Sequence, residues 1–274
     1  MKKIETQVNP WSTLKINSDL KEVIKYPRVL SSPSEFVLQD SVSRTIFSGV
    51  CLKCKYIDEF SFSMRLSTPI CESNLNLEQL ENFVMRYGSC QSRWIEGEKS
   101  VFRKENMEQT IDKVIEYVEV NLSKKGNRSL LISKNDVLNK LNHMMTLFPI
   151  TNSIDHGDLH IHNLVELDSQ YYAIDWEKVR ITHPFLSLSH LIISLNLINF
   201  RLNNNSIDSY LSNWSHFADF PDLKRLLNSF ILAVPLIYSY YYSIWSSSES
   251  FVDINTSYDS SFLLNLNTEN LIYP

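Results

Sequence analysis

A chain of 274 residues with 43% hydrophobic and 12% aromatic residues can form one or two globular domains, which excludes an intrinsically disordered protein. The 26 basic and 31 acidic residues give a net charge of -5, which argues against nucleic acid as the main partner. No apolar run follows the N-terminal lysines, and Pro235 and several tyrosines interrupt the most apolar later segment, residues 230–245. We therefore expect a cytoplasmic protein with no signal peptide and no membrane span.

The N-terminal region has short strand-like and helix-like patterns. Residues 18–25 predict a short helix, and residues 26–30 and 35–39 predict two strands around a Ser-Ser-Pro-Ser turn. A third strand is predicted over residues 49–57. Together these elements predict a small, strand-bearing N-terminal lobe and hinge over residues 1–60.

The four cysteines lie in the first third of the chain: Cys51, Cys54, Cys71 and Cys90. The spacing of Cys51 and Cys54 alone is typical of a metal or redox site. Because their flanks alternate like a strand, we predict buried or half-buried free thiols in a reducing compartment. The alternative zinc site would need Cys71 and Cys90 at irregular spacing.

From residue 77 onward, apolar residues recur at the spacing of amphipathic helices. Helices are predicted over residues 77–87, 107–122, 135–148, 186–200, 207–216, 221–246 and 258–268. Asn135 offers an N-cap for the third helix, and Pro149 ends it. The predicted fold class is therefore α+β, with a small lobe followed by a mostly helical C-terminal lobe over residues 61–274.

Residues 154–177 place two acidic residues and an asparagine at spacings suited to phosphoryl transfer. Asp158 lies five residues before Asn163, and Asp175 follows twelve residues later at the end of an apolar strand. Phosphoryl transfer requires positioning and charge neutralisation by metal ions, and carboxylate and amide oxygens are suitable ligands for Mg²⁺. This pattern predicts that Asp158 accepts the proton of a substrate hydroxyl or orients it, while Asn163 and Asp175 hold Mg²⁺ at the nucleotide phosphates.

Other interpretations of these residues stay open. Asp158 could cap a turn, Asn163 could close a β-turn, and Asp175 could be an ordinary strand-end acid. A transition-metal site is a further alternative. Its possible ligands are His156, Asp158, His160, His162 and Asp175.

The pattern His-Gly-Asp-Leu-His-x-x-Asn at residues 156–163, followed by Ile-Asp-Trp-Glu at residues 174–177, resembles the signature of the aminoglycoside phosphotransferase and choline kinase family. The resemblance implies a protein-kinase-like fold and ATP-dependent phosphorylation of a hydroxyl on a small molecule, such as an aminoglycoside or a choline-like compound. The implied site residues are Asp158 as catalytic base, Asn163 and Asp175 as Mg²⁺ ligands, and His156 and Gly157 shaping the loop, with His156 at the cofactor.

The N-terminal region departs from this family pattern. A complete small lobe would supply a phosphate-covering loop, a strand lysine and a helix glutamate, yet no glycine occurs before Gly49. On the alignment that we favour, residues 26–40 lead into the hinge, and the lysine strand is missing from a truncated lobe. The alternative alignment makes Lys53 or Lys55 the lysine at the ATP phosphates, with a glutamate of the 77–87 helix as its partner.

Two further positions bear on the site. The family pattern has an aspartate that braces the catalytic loop where this chain has Ser187 and Ser189. A serine would be a weaker, neutral brace. Glu177 either supports the metal ligand or is a solvated strand-end charge.

Two classes of function remain. The first is an ATP- and Mg²⁺-dependent kinase of a small hydroxylated molecule, which retention of Asp158, Asn163 and Asp175 favours. The second is a catalytically impaired binding protein on the same scaffold, which the truncated lobe favours and which would need an unidentified protein partner. The residues after 185 contain no cluster that identifies the substrate.

Overall fold

The computed structural model describes residues 4–8, 12–27, 35–58, 61–94, 101–123 and 128–247. The β-strands are β1 Ile4–Val8, β2 Ser12–Asn17, β3 Glu22–Pro27, β4 Cys54–Asp58, β5 Ser61–Arg65, β6 Thr68–Pro69, β7 Arg103–Lys104, β8 Ser153–Asp155, β9 Leu164–Leu167, β10 Gln170–Ala173 and β11 Arg180–Thr182. The α-helices are α1 Glu35–Ser43, α2 Leu77–Arg93, α3 Met107–Ser123, α4 Arg128–Leu147, α5 Phe185–Leu197, α6 Asn204–Ser212 and α7 Phe220–Ser247.

The chain divides into two compact units. The first comprises Met1–Arg103 and Ser153–Ile181, and the second comprises Lys104–Asn152 and Thr182–Pro274. The sequence pattern of strands followed by helices agrees with this mixed α+β architecture. The predicted lobe boundary at residue 60 lies between β4 and β5, which are paired strands of one sheet.

The first unit contains a five-stranded antiparallel sheet in the order β1-β2-β3-β5-β4. The predicted helix over residues 18–25 is wrong, because this segment forms the turn between β2 and β3 and most of β3 itself. The Asn17 side chain accepts a hydrogen bond from the Leu20 amide, and Lys21 takes a left-handed conformation with φ of 50°. The β-branched Val23 and Ile24 that follow favour a strand.

The predicted strand over residues 35–39 is also wrong, because these residues begin helix α1. Its buried residues Glu35, Leu38, Gln39 and Val42 follow the spacing of one helix face. The predicted strand over residues 49–57 begins only at Cys54, and a 3-10 helix at Ile46–Gly49 precedes it. A lobe of five strands and a helix is therefore present where the sequence suggested a reduced one.

The rest of the first unit supports the motif loop. Strands β10, β9 and β6 form a three-stranded sheet in that order, and β7, β11 and β8 form another. Helix α2 packs on β10 and β8. Phe47 contacts Tyr87 and Trp176 with ring centroids 6.0 and 6.1 Å apart, so Trp176 of the segment 154–177 is part of an aromatic core.

The second unit is helical and confirms most of the predicted helices. Helix α7 packs on α3, α4 and α5, and it continues through Pro235. The predicted N-cap at Asn135 is wrong, because α4 begins at Arg128 and Asn135 lies inside it, donating to Glu119 Oε1. The predicted helix over residues 258–268 lies outside the described residues. Within the described ranges, no helix has the length and apolar character needed to cross a membrane.

Candidate active site

Lys25 on β3 joins two carboxylates that are distant in sequence. Its Nζ lies 2.6 Å from Glu35 Oε1 and 2.9 Å from Asp175 Oδ1. Glu35 is the first residue of α1 and is 4% exposed, whereas the Asp175 side chain is 36% exposed. A half-buried lysine is thus paired with one enclosed carboxylate and one that solvent or a ligand can reach.

The charges of this cluster determine its protonation. Burial alone would lower the pKa of Lys25, but the charges of Asp175 and Glu35 outweigh burial and raise that pKa. Burial, reinforced by the charge of Asp175, raises the pKa of Glu35 to about 8. Burial would also raise the pKa of Asp175, yet the attraction and hydrogen bond of Lys25 hold it at about 2. Asp175 is therefore ionised at neutral pH.

The cluster of Lys25, Glu35 and Asp175, which we call the Lys25 cluster, also contains a set of oxygen atoms that could bind a metal. Carboxylate oxygens of Glu35, Asp175 and Glu177 lie within 4.8 Å of one another. Among the described residues, this is the one set of three or more His, Cys, Asp or Glu side chains that approach so closely, so the histidine-rich transition-metal alternative gains no support. Hard oxygen ligands without imidazole or thiolate fit Mg²⁺.

The backbone around Asp175 is held in an uncommon conformation. Asp175 has φ of 67° and ψ of 52°, a left-handed region that costs a residue with a Cβ about 1–2 kcal/mol. The preceding strand end is fixed, because the Ala173 amide donates to Val50 O at 2.7 Å and Trp176 Nε1 donates to Ala173 O at 3.0 Å. Strain that the surroundings maintain in this way is common at functional sites.

His156 links the loop of Asp158 to the segment of Asp175. Its Nε2 donates to Ile174 O at 2.8 Å, and its Nδ1 accepts from the Asp158 amide at 3.3 Å. The ring is fully buried against Trp176, and burial lowers its pKa to about 4, so it is neutral at pH 7. A side chain so enclosed shapes the loop in this conformation and is not presented to a nucleotide.

Asn163 makes a second connection between the same segments. Its Nδ2 donates to Asp158 O at 2.8 Å, and its backbone oxygen accepts from the Ile174 amide at 3.0 Å. Since the amide nitrogen is used by the loop, the amide oxygen is the group that could bind a metal. The Asn163 side chain thus binds the Asp158 backbone, and the Asn163 backbone binds the amide of Ile174, the residue before Asp175.

Gly157 is required by the geometry of the loop. Its φ is +84°, and an added Cβ would lie 2.0 Å from the backbone oxygen of Lys178. No other residue type fits this conformation and this approach without moving the backbone. The Gly in the motif therefore allows the Lys178 segment to pack against the loop.

Lys53 and Lys55 are both exposed and are not part of the Lys25 cluster. Contrary to the predicted absence of a strand lysine from this lobe, β3 carries Lys25, which pairs with Glu35 of α1. Val-Ile-Lys at residues 23–25 resembles the Val-Ala-Ile-Lys strand of protein kinases and could have identified this lysine. A phosphate-covering loop between β1 and β2 would fall on residues 9–11, outside the described residues.

The remaining predicted positions are found as follows. Ser187 and Ser189 are buried on α5, and their role as a brace stays a prediction.

Cys51 is buried and Cys54 is half-buried, and both are free thiols as predicted. Burial raises the pKa of both thiols, so they are poor nucleophiles at neutral pH.

No protein-family model matches the sequence, and no curated protein sequence matches it. Solved structures share its fold. A choline/ethanolamine kinase family protein from Mesorhizobium loti is 13% identical, with a TM-score of 0.63 over 98% of this chain and 90% of that one. ADP-bound aminoglycoside phosphotransferase APH(2'')-Ib is 14% identical, with a TM-score of 0.60 over 100% and 95%.

A third similar structure is the GDP and kanamycin complex of APH(2")-IIia, 13% identical, with a TM-score of 0.60 over 92% of this chain and 90% of that one. The chain thus has the protein-kinase-like fold of small-molecule phosphotransferases, as the motif implied.

Proposed function

We propose that the protein is an ATP- and Mg²⁺-dependent phosphotransferase that acts on a hydroxyl group of a small molecule. The observation that carries the proposal is the bridging of Glu35 and Asp175 by Lys25. Protein kinases require a strand lysine paired with a helix glutamate, together with an aspartate that binds metal. The similar structures are phosphotransferases of small molecules, and their fold likeness supports the same class of reaction.

The residues take roles that follow from their contacts. Lys25 binds the nucleotide phosphates, and Glu35 holds the lysine side chain in place. Asp175 and Asn163 would hold Mg²⁺, with Glu177 beside them. A bound Mg²⁺ supplies neutralisation of the charge on the phosphates. Since Asp175 is ionised at neutral pH, it needs no proton loss to bind the ion.

Asp158 is the proposed catalytic base. Its side chain is 21% exposed, so a substrate hydroxyl can reach the carboxylate. Its backbone amide and carbonyl are both hydrogen-bonded, to His156 Nδ1 and Asn163 Nδ2. A positioned carboxylate that accepts or orients the hydroxyl proton contributes about 10²–10⁴-fold to the rate.

A catalytically impaired binding protein is the second candidate. The absence of glycine before Gly49 is the observation that favours it, because a phosphate-covering loop without glycine approaches the phosphates less closely. A protein partner that supplies the lysine strand is not needed, since β3 and α1 supply Lys25 and Glu35.

The experiment is a transfer assay with γ-labelled ATP or GTP and a panel of choline, ethanolamine and kanamycin as acceptors. Both nucleotides are included because the similar structures contain ADP in one case and GDP in another. Asp158→Asn is the test variant, and Asp168→Asn is the matched control because Asp168 is a 69% exposed carboxylate of the same unit.

The proposal predicts label transfer by the wild-type chain, a fall of about 10²–10⁴-fold in Asp158→Asn, and an unchanged rate in Asp168→Asn. Nucleotide binding without transfer to any acceptor would favour the second candidate. Equal rates in the two variants would remove Asp158 from the proposed chemistry.

A further inference from the structure

A buried ion pair lies next to the loop that carries Asp158. Asp155 on β8 is fully buried, Arg180 on β11 is 6% exposed, and Arg180 Nε lies 3.6 Å from Asp155 Oδ1. Removing two charges from water is costly, and apolar residues in place of such a pair are often as stable or more stable. Core stability therefore does not by itself explain why charges occupy these positions.

Both members of the pair also contact the backbone of Gly157. Asp155 Oδ1 accepts a hydrogen bond from the Gly157 amide at 2.9 Å, and Arg180 Nη2 donates to the Gly157 carbonyl at 3.5 Å. The pair thus holds the two polar groups of the residue that immediately precedes Asp158. Asp155 lies on β8, before the loop in sequence, and Arg180 lies on β11, after the loop.

Gly157 adopts a conformation that only glycine fits. Its φ is +84°, and Lys178 O lies 2.0 Å from the position that a Cβ would occupy. A glycine has more backbone freedom than any other residue, so contacts from outside the loop must restrict it. Asp155 and Arg180 supply such contacts at both ends of the residue.

We propose that Asp155 and Arg180 are positioning residues, which fix the Gly157 backbone and thereby the orientation of Asp158 toward the acceptor hydroxyl. This inference rests on the proposed phosphotransferase function. Neither side chain touches the reacting groups, because both are buried. A displacement of about 1 Å in a catalytic group can reduce a rate by about 100-fold, so loss of the pair should act on turnover.

The test separates positioning from stability with three variants. Asp155→Asn keeps an acceptor for the Gly157 amide but removes the negative charge 3.6 Å from the buried Arg180 Nε, and it is expected to be unstable. Arg180→Met removes the positive charge beside the buried Asp155 carboxylate and is expected to be unstable for the same reason. The double variant Asp155→Asn/Arg180→Met removes both charges and should recover the unfolding temperature of the wild-type chain.

The matched control is the double variant Arg65→Met/Asp168→Asn. Arg65 and Asp168 form an ion pair in the same unit, at 3.0 and 3.2 Å, with side chains 62% and 69% exposed. Exposed pairs contribute little to stability. This control also removes one positive and one negative charge, but from an exposed pair on the surface.

Three quantities are measured on each variant: the unfolding temperature, kcat and KM for ATP with Mg²⁺, and hydrogen exchange of the Gly157 and Asp158 amides. For the buried double variant we expect a recovered unfolding temperature, a kcat lowered about 10–100-fold with KM within about threefold, and faster exchange of the Asp158 amide, since Asp155→Asn keeps an acceptor for the Gly157 amide. The surface control should match the wild-type chain in all three quantities.

A buried double variant that recovers both stability and kcat, with unchanged amide exchange, would overturn the inference. Failure of the proposed function itself gives a different result, in which the wild-type chain shows neither nucleotide binding nor transfer. In that case the amide exchange still decides, since faster exchange supports positioning by the pair and unchanged exchange refutes it.

Discussion

Replacement of Lys25 by methionine tests the Lys25 cluster in the folded protein without any substrate. The substitution keeps most of the apolar side chain but leaves Glu35 and Asp175 without the cation that separates them. Removal of one partner from a buried ion pair costs about 3–5 kcal/mol. Because the Asp175 side chain is 36% exposed, we expect the lower end, about 3 kcal/mol.

Thermal unfolding followed by circular dichroism measures this loss. For a domain of this size, about 1 kcal/mol corresponds to about 2–4 °C, so Lys25→Met should unfold about 6–12 °C below the wild-type chain. Lys53→Met is the matched control, because Lys53 is exposed and its loss should cost less than about 0.5 kcal/mol. Equal unfolding temperatures for the two variants would refute the reasoning.

The pH dependence of the same variant gives a second check. A carboxylate whose pKa is raised in the folded state lowers the free energy of unfolding as pH rises from its unfolded pKa, 4.5 for Glu35, toward its folded pKa of about 8. Without Lys25, repulsion from Asp175 raises the Glu35 pKa further. Up to about pH 8 Glu35 stays protonated in both folded chains, so its contribution to the destabilisation of Lys25→Met should be constant there and grow only above about pH 8, where Glu35 ionises in the wild-type chain but not in the variant. A difference that stays constant as pH rises through 8 would contradict the pairing.

Two further substitutions test the loop and the second unit. Gly157→Ala should lose more than about 2 kcal/mol, because a left-handed residue with a Cβ would collide with the backbone oxygen of Lys178, whereas Gly49→Ala, with open space at its Cβ, should lose less than about 0.5 kcal/mol. Denaturant titration measures both, and equal midpoints would contradict the geometry. Burial lowers the pKa of His183 from 6.5 to about 3, so its contribution to stability is lost as pH falls through this interval. His183→Asn should therefore reduce the acid slope of the unfolding free energy by about 1.4 kcal/mol per pH unit, and an unchanged slope would show that His183 takes no part.

The helices of the second unit could be predicted because long amphipathic segments have a strong periodic signal. Helix α3 is predicted over residues 107–122 and observed over Met107–Ser123. The motif residues Asp158, Asn163 and Asp175 could be proposed from the sequence because their order and spacing lie within one continuous segment, and their roles stay predictions.

Lys25 and Glu35 lie outside that segment, and the Val-Ile-Lys resemblance at residues 23–25 points to the lysine but not to its partners. Lys25 and Asp175 are 150 residues apart, and only the tertiary structure brings them together. Helix α1 has just nine residues, so its periodicity was too short to distinguish a helix from a strand. A strand over residues 35–39 leaves no helix for Glu35, so the sequence pattern provides no helix glutamate to pair with a lysine on the preceding strand.

The pairing of Asp155 with Arg180 could not be predicted from the sequence, for a different reason. Each residue stands beside a motif residue or a strand end, where a charge is usually solvated, and the sequence contains no sign that both are buried. Their contact depends on the pairing of β8 and β11 within one sheet. Such a pair becomes visible only when tertiary structure is known.

The most direct measurement is a calorimetric titration of ATP into the wild-type chain and into Asp175→Asn, each with and without Mg²⁺. The account predicts micromolar binding that requires Mg²⁺ in the wild-type chain and is lost in Asp175→Asn, while the exposed control Asp168→Asn binds normally. Absence of binding in the wild-type chain would contradict the proposed site. Binding that depends neither on Mg²⁺ nor on the Asp175 side chain would also contradict it.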